Sequence, residues 1–141
     1  MFSLRRRNTL PQRTLIAAGT HFEKIFGYSR AVRTGPWVTV AGCTAAAPDG
    51  PVGGPDIVAQ STECLRRIQG ALEDAGADLK DVVRTRFYVT DISALDAIGA
   101  VHLEYFGDIR PASTIVEVSA LAHPALLVEV EADAVVLDAA G

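Results

Sequence analysis

Three carboxylates share one face of a predicted strand near the end of the chain. In VEVEADAVV, residues 128–136, Glu129, Glu131 and Asp133 alternate with Val and Ala. A period of two predicts a strand with one apolar face and one acidic face. Carboxylates side by side repel one another, so the acidic face requires a counter-charge. Because a carboxylate can position water and relay a proton, these residues are the first candidates for acid–base chemistry.

Histidine, cysteine and serine supply no further catalytic pattern. The sequence has no phosphate-binding loop, dinucleotide fingerprint, metal-ligand spacing or serine-nucleophile motif. The histidines, His21, His102 and His123, are far apart in sequence, and we interpret them as solvated or packed side chains. Cys43 and Cys64 are too few for a disulfide framework and lack the spacing of a metal site. We therefore expect no bound metal.

Composition limits the class of protein. The 141 residues suit a single domain. A net charge of −4 and a pI near 5.3 argue against a nucleic-acid partner, since such domains are usually basic. No apolar run approaches the roughly 20 residues of a membrane helix, so we expect no membrane partner. The basic start MFSLRRRNTLPQRTL fits either a transit peptide or an Arg-rich bacterial N-terminus. Because it contains no apolar signal stretch, we expect a cytoplasmic protein.

Hydrophobic periodicity predicts five strands and two helices. We interpret residues 1–21 as an extended N-terminal arm and residues 22–138 as the domain. Asp56 and Gly76 are start and stop signals for the first helix, whose other face carries the polar residues Gln60, Glu63, Arg66, Arg67 and Glu73. The predicted elements are two short strands within 27–46 that turn at Gly35-Pro36, a helix at 57–75, a strand at 81–90, a helix at about 94–106, and strands at about 112–119 and 126–137.

The order β-β-α-β-α-β-β predicts an α+β domain with both helices on one face of the sheet. In the strand 81–90, one face carries Val83, Thr85, Phe87 and Val89, and the other carries Arg84, Arg86 and Tyr88. If this strand lies beside 126–137, the arginines meet the carboxylates and relieve their repulsion. The uncovered face then meets either water or another subunit, and patterning alone leaves both open.

Several segments in a fixed order resemble the RidA/YjgF family. They are YSRAV (28–32), VAG (40–42), ALEDAGADLKDVVRTRFYVTD (71–91), YFGDIRPAS (105–113), VEV (116–118) and VEVEADAVV (128–136). The resemblance implies a chorismate-mutase-like fold and a homotrimer with three clefts between subunits. It also implies cofactor-free hydrolysis of small enamines or imines, such as 2-aminoacrylate, to 2-keto acids and ammonia. Some members have been called L-PSP endoribonucleases, an activity that the acidic charge of this chain does not favour.

The resemblance also implies site residues. Glu129 matches the cleft glutamate that orients or activates water, and Tyr28 matches the cleft tyrosine. Gly42 matches a glycine whose backbone amide lies near the ligand, and Ala41 and Cys43 flank it.

The chain departs from the family at three of the implied positions. Active deaminases carry an arginine after "PA" that grips the substrate carboxylate, and Ser113 occupies that place here. Gly99 replaces the family's helix asparagine, and Ile115 replaces its cysteine. Arg110 or Arg30 could supply the missing guanidinium. The third explanation, which we favour from the sequence, is a ligand without that carboxylate, because a hydroxyl cannot replace a guanidinium.

Three functions fit the sequence. The first is a cofactor-free hydrolase or deaminase of a small imine, enamine or related electrophile, in which Glu129 and Tyr28 are catalytic. The second is a trimer that binds a small metabolite in its clefts without turnover, as a sensor or scaffold. The third is a structural or chaperone-like trimer. We give the first about the same weight as the other two together.

Overall fold

The computed structural model describes residues 12–137, which form a six-stranded sheet with helices packed on it. The strands are β1 (Arg13–Ile16), β2 (Ala31–Thr34), β3 (Trp37–Cys43), β4 (Val82–Val89), β5 (Ala112–Glu117) and β6 (Val128–Val135). The helices are α1 (His21–Phe26), α2 (Ile57–Asp74) and α3 (Leu95–Phe106), with short 3-10 turns at Leu79–Asp81 and Ile92–Ala94. None of these helices is long and apolar enough to span a bilayer.

The sheet has the strand order β1-β2-β3-β6-β4-β5. All neighbouring strands are antiparallel except β4 and β5, which are parallel. The five strands and two helices that periodicity predicted are therefore all present, and the α+β class is confirmed.

One strand and one helix near the N-terminus were not predicted from the sequence. β1 pairs with β2 at the sheet edge, with Leu15 opposite Val32, although residues 13–16 were assigned to an extended arm. Helix α1 follows it and has no buried residue. Because β1 is short and mostly exposed, backbone hydrogen bonds hold it and no apolar periodicity marks it. Residues 1–11 lie outside the described chain, and the division into an arm and a domain stays a prediction.

Local signals set the limits of α2. The Asp56 carboxylate accepts hydrogen bonds from the backbone N–H groups of Val58 and Ala59, at 2.8 and 3.2 Å. Such a cap satisfies amides that have no partner within the helix. Gly76 follows the last turn with φ of 77°, a left-handed conformation that glycine adopts without strain. Both predicted signals are confirmed.

The polar face predicted for α2 is partly wrong. Gln60 is fully buried and Glu63 is 8% exposed. The Gln60 amide nitrogen donates to the carbonyl oxygens of Gly54 and Ala125, at 2.7 and 3.0 Å, and its oxygen accepts from the Leu127 N–H at 2.9 Å. Its burial costs little because these backbone groups replace water. Gln60 thus links α2 by hydrogen bonds to the loop before it and to the loop before β6.

An irregular register at the start of β4 changes which valine is buried. Val82 pairs with Ala134, but Arg84 pairs with Asp133, so Val83 is left over between them. Val82 is 3% exposed and Val83 is 44% exposed. The prediction that Val83 shares a face with Thr85, Phe87 and Val89 is therefore wrong for Val83, whereas the other three are buried together. A bulge shifts the alternation by one residue, which periodicity alone does not reveal.

Arginines of β4 meet the carboxylates of β6, as predicted. Arg86 pairs in register with Glu131, and its Nη1 lies 3.4 Å from the Glu131 carboxylate and 3.3 Å from that of Asp133. The Tyr88 hydroxyl donates to Glu131 at 2.6 Å, and this hydrogen bond raises the pKa of Tyr88. We call this side of the sheet the charged face. Helices α2 and α3 pack on the opposite, apolar face.

Candidate functional site

A second irregular register, in β3, brings Gly42 against Glu129. The pairing of β3 with β6 runs from Val40 opposite Ala132 to Cys43 opposite Val130, which leaves Ala41 and Gly42 in a bulge. A Cβ atom on residue 42 would lie 2.9 Å from both Cδ and Oε1 of Glu129. Real Cβ atoms essentially never approach so closely, so glycine allows the carboxylate to lie against the backbone of the bulge.

Glu129 differs from its neighbours on the charged face because its carboxylate is unpaired. Among residues 12–137, neither a hydrogen bond nor a salt bridge reaches it, although Glu131 and Asp133 both contact Arg86. Its side chain is partly buried. Burial raises the pKa of Glu129, the nearby Glu131 raises it further, and Arg30 opposes the shift. A partly desolvated carboxylate without a partner can bind water or exchange a proton.

Arg30 holds the backbone of the bulge. Its Nη1 donates to the carbonyl oxygens of Ala41 and Gly42, at 3.2 and 2.8 Å, and lies 3.1 Å from Sγ of Cys43. Its guanidinium carbon lies 5.9 Å from the centroid of the Tyr28 ring, within the range of a cation–π interaction. One nitrogen of Arg30, Nη1, thus holds the bulge, which makes Arg30 less suited than an arginine without protein contacts to replace the family arginine.

Two more candidates complete this group. The Tyr28 hydroxyl lies 3.4 Å from Oγ1 of Thr20. The Cys43 side chain is 2% exposed, and burial raises the pKa of its thiol. Of Cys43, only the backbone is therefore suited to contact a ligand. The structure thus brings six of the predicted site residues together, and we call this group the bulge cluster: Tyr28, Arg30, Ala41, Gly42, Cys43 and Glu129.

The remaining candidates lie on or near β5, which is an edge strand of the sheet. Ser113 pairs in register with Thr85 of β4, and Thr85 Oγ1 donates to Ser113 Oγ at 2.9 Å. The same Thr85 oxygen lies 2.9 Å from Nε2 of His102 on α3. Ile115 pairs with Phe87 and packs against the core. Ser113 and Ile115 therefore face the helices, on the apolar side of the sheet.

An open groove of about 340 Å³ lies beside His102, which Thr85 links to Ser113. Its lining comprises Gly99, His102, Leu103, Phe106, Gly107, Arg110 and Pro111. A Cβ atom on Gly99 would meet nothing within 4 Å, so the place of the family's asparagine is empty space. Arg110 has φ of 58° and donates its backbone N–H to the Phe106 carbonyl at 2.8 Å. Within the described chain its guanidinium has no hydrogen-bond or salt-bridge partner.

The predicted site residues therefore form two separate groups. Glu129 lies on β6 and on the charged face, whereas Ser113 lies on β5 and on the apolar face. Strand β4 lies between these two strands. Neighbouring strands are about 4.8 Å apart, so the two residues are also about 10 Å apart across the sheet. Within one chain, a small ligand cannot contact both.

Local sequence patterns did not reveal the contacts of Thr85 with Ser113 and His102, although His102 is packed, as one of its two interpretations predicted. Thr85 was assigned to a buried face and nothing more, and His102 was interpreted as solvated or packed. The signal that would have found them is the register of β4 against β5, which places Thr85 beside Ser113. Parallel pairing joins residues far apart in sequence, and no local motif reports it.

Known proteins resemble this chain over most of its length. The family model described as Endoribonuclease L-PSP matches residues 18–136. A RutC family protein from Pyrococcus abyssi is 38% identical over 106 residues, which cover 74% of this chain and 83% of that protein. The 3-aminoacrylate deaminase RutC of Acinetobacter baylyi is 37% identical over 75 residues, which cover 53% of this chain and 59% of that protein.

The fold has a solved counterpart in a member of the YjgF/YER057c/UK114 family from Mycobacterium tuberculosis. That structure matches with a TM-score of 0.82 and 55% identity, and the match covers 89% of this chain and 100% of that one. The family model, the sequence relatives and the solved structure agree with the resemblance carried by the segments quoted above. The chain therefore belongs to the RidA/YjgF/YER057c/UK114 family.

Proposed function

We propose that this protein is a cofactor-free hydrolase that deaminates a small imine, enamine or related reactive metabolite. The observation that carries the proposal is the Glu129 carboxylate, which is partly buried, lies against Gly42 and has no hydrogen-bond or salt-bridge partner among residues 12–137. A structural carboxylate in such a place would have a cationic or N–H partner. The 3-aminoacrylate deaminase among its relatives supports the reaction class.

The chemistry requires one group that moves protons. Water adds to the carbon of the C=N bond while Glu129 takes a proton from that water and returns it to the nitrogen. Glu129 then transfers the hydroxyl proton of the carbinolamine to its nitrogen, the C–N bond breaks, and ammonia leaves as the C=O bond forms. A carboxylate whose pKa is raised toward neutrality serves both proton transfers better than an ordinary one. Tyr28, in the same cluster, supplies a hydroxyl at the rim of the site.

A homotrimer would complete the site. The bulge cluster and the Ser113 groove lie on opposite faces of one chain, so a ligand that uses both needs the groove of a second copy. The charged face also exposes apolar side chains at its borders, among them Trp37 at 58% and Val116 at 41% exposure. Such a surface is typical of a subunit contact. In this arrangement Ser113, Arg110, Gly99 and Ile115 belong to one subunit and Glu129 to its neighbour.

The position of Arg110 favours it as the residue that replaces the family arginine. The sequence alone favoured a ligand without a carboxylate. Arg110 lines the groove beside Gly99, and its guanidinium has no partner in the described chain, whereas Nη1 of Arg30 donates to the bulge carbonyls. A free guanidinium is well suited to a carboxylate. Arg110 is therefore the better candidate for the missing clamp.

The test is hydrolysis of 2-iminopropionate generated in situ, with Glu129→Gln as the main variant. Glu129→Gln keeps the shape of the side chain and removes its proton transfer, so the rate should fall at least about 100-fold. Glu131→Gln is the matched control, because it makes the same change on the same strand and face. We expect it to keep most of the activity. Equal rates for Glu129→Gln and wild type would remove Glu129 from the mechanism.

A binding protein without turnover is the second candidate. It is favoured by Ser113, whose hydroxyl carries no charge and already accepts a hydrogen bond from Thr85. If wild type is inert and Ser113→Arg gains activity, the cleft is intact and its natural ligand differs. If both are inert while a ligand raises the melting temperature, the protein is a metabolite-binding trimer. Sedimentation of wild type tests the trimer directly, and a monomer would contradict both functions.

A further inference from the structure

Three side chains form a continuous chain of hydrogen bonds from the sheet edge to the groove. Ser113 Oγ, Thr85 Oγ1 and His102 Nε2 are linked by two contacts of 2.9 Å each. Thr85 is 1% exposed, so water does not compete at the middle link. Ser113 is exposed and His102 lines the groove, so a ligand can reach both ends. We call this chain the hydroxyl relay.

The tautomer of His102 sets the direction of the relay. A proton on Nε2 makes His102 donate to Thr85, which donates to Ser113 and leaves the Ser113 hydroxyl proton free for a ligand. A proton on Nδ1 makes Nε2 accept from Thr85, so Thr85 accepts from Ser113, whose oxygen can then only accept from a ligand. The relay can therefore act as a donor or as an acceptor at the same place.

Packing keeps His102 suited to this exchange. Phe87 and Phe106 enclose its ring, with centroid distances of 5.6 and 4.8 Å. Burial lowers the pKa of His102, which favours the neutral imidazole near neutral pH. Only the neutral ring carries one donor and one acceptor nitrogen. An arginine at position 113 would offer donors alone, so the relay gives this chain a property that the family arginine lacks.

The groove adds a fixed cation to the relay. Arg110 stands three residues before Ser113, just before β5 begins, and the rest of the lining is mainly apolar or glycine. We propose that Arg110 binds the carboxylate of a small ligand in this groove, while Ser113, through Thr85 and His102, exchanges a hydrogen bond with an adjacent hydroxyl, amino or imino group. The inference rests on the proposed function for its substrate class, but its binding step needs no turnover.

The test is a titration of the full chain with three small probes, followed by NMR of the His102 ring nitrogens. Glycolate carries a carboxylate and a hydroxyl, acetate lacks the hydroxyl, and glycolamide lacks the charge. We expect glycolate to bind on the order of tenfold more tightly than either other probe. The ring nitrogen shifts should report a change of tautomer with glycolate and none with acetate. Equal affinity for glycolate and acetate would overturn the relay, and no binding by any probe would overturn the site.

Variants of Thr85 separate the relay from packing. Thr85→Val keeps the branched shape and removes the hydroxyl, so glycolate should lose its tenfold advantage over acetate and its effect on the His102 tautomer. Thr85→Ser restores the hydroxyl and should recover most of both. If Thr85→Val, still folded by its melting curve, responds to glycolate as wild type does, the relay is wrong.

Variants of residues at the groove test whether Arg110 binds the carboxylate. Arg110→Gln should weaken glycolate and acetate to a similar extent, on the order of tenfold, and leave glycolamide unchanged. Glu104→Gln, an exposed change on α3, the helix that carries His102, is the control and should alter no affinity. Unchanged glycolate binding in Arg110→Gln would overturn the role of Arg110.

The two proposals fail in different ways. Imine hydrolysis that depends on Glu129, together with equal binding of glycolate and acetate, would keep the hydrolase and overturn the relay. The expected pattern of probe binding without any imine hydrolysis would support the relay and remove the hydrolase.

Discussion

Glu63 and Glu129 are two partly or fully buried carboxylates with opposite surroundings. Glu63 on α2 accepts hydrogen bonds from both nitrogens of the Arg66 fork and from Nε of Arg67. Arg66 and then Arg67 lower the pKa of Glu63 to about 2. Glu129 has no such partner in the part of the chain that the structure describes, and burial raises its pKa. A buried glutamate with hydrogen-bond donors around it is thus structural, whereas a buried glutamate without them is available for chemistry.

The structural carboxylate also supports the region around the functional one. Arg67, oriented by Glu63, donates from Nη1 to the Thr44 carbonyl at 2.8 Å. Thr44 directly follows Cys43, the residue at which the β3–β6 register resumes after the bulge. The Glu63 group therefore fixes one side of the bulge while Arg30 holds its carbonyls from the other. Rigid support of this kind keeps a reactive side chain in place.

The sharpest test of this contrast exchanges each glutamate for glutamine. Glu63→Gln should lower the free energy of unfolding by about 2 kcal/mol, because a neutral amide with one acceptor oxygen replaces a buried carboxylate that two arginines bind. Glu129→Gln should leave stability within about 1 kcal/mol of wild type or raise it, since it removes a desolvated charge beside Glu131. Chemical denaturation measures both. Glu73→Gln, exposed on the same helix as Glu63, is the control, and equal losses in Glu63→Gln and Glu129→Gln would erase the contrast.

Lowering the pH should change the stability of the two variants relative to wild type in opposite directions. The pKa of Glu63 lies below its ordinary value of 4.5, so its stabilisation is complete above that value and is lost as pH falls toward about 2. The deficit of Glu63→Gln, about 2 kcal/mol at pH 7, should therefore shrink on acidification. The pKa of Glu129 is raised, so protonated Glu129 matches glutamine at low pH, and any advantage of Glu129→Gln appears only as pH rises through that pKa.

Those two pH series are measured by denaturation of wild type and both variants between pH 7 and pH 3. A deficit of Glu63→Gln that stays constant over this range would show that packing, and not charge, explains the loss.

The sequence predicted regular elements well and buried polar groups poorly. The apolar stripe of α2 and its Asp56 and Gly76 signals were sufficient to place the helix, because they are local. The burial of Gln60 was not predictable, because its partners Gly54, Ala125 and Leu127 come from two loops brought together by the fold. A polar residue on a helix is assigned to solvent unless such distant partners are known.

The site shows the same limit. Family resemblance located Glu129 and Gly42, and strand pairing then placed them in contact. The relay of Ser113, Thr85 and His102 could not be predicted, since it depends on parallel pairing of β4 with β5 and on the position of α3 above it. Neither bulge could be predicted from the sequence. One extra residue in a strand alters the register, but no particular residue type marks it.

The smallest expected effect comes from adding one methyl group at the bulge. In Gly42→Ala, the new Cβ would lie 2.9 Å from Cδ and Oε1 of Glu129, so the carboxylate must move. Because the displaced atoms are the end of a flexible side chain, the free energy of unfolding should fall by less than about 1 kcal/mol. The imine hydrolysis rate should fall on the order of tenfold, because the water-binding carboxylate is displaced.

Gly70→Ala is the matched control for that methyl group. Residue 70 lies within α2, and a Cβ atom there meets nothing within 4 Å. Alanine should stabilise this helix by about 0.5–1 kcal/mol and leave imine hydrolysis unchanged. Measured together, the two variants separate the general effect of glycine replacement from the specific contact between Gly42 and Glu129. If Gly42→Ala keeps full activity, the position of the carboxylate against the bulge is unimportant, and the distinction between Glu129 and Glu63 rests on hydrogen-bond partners alone.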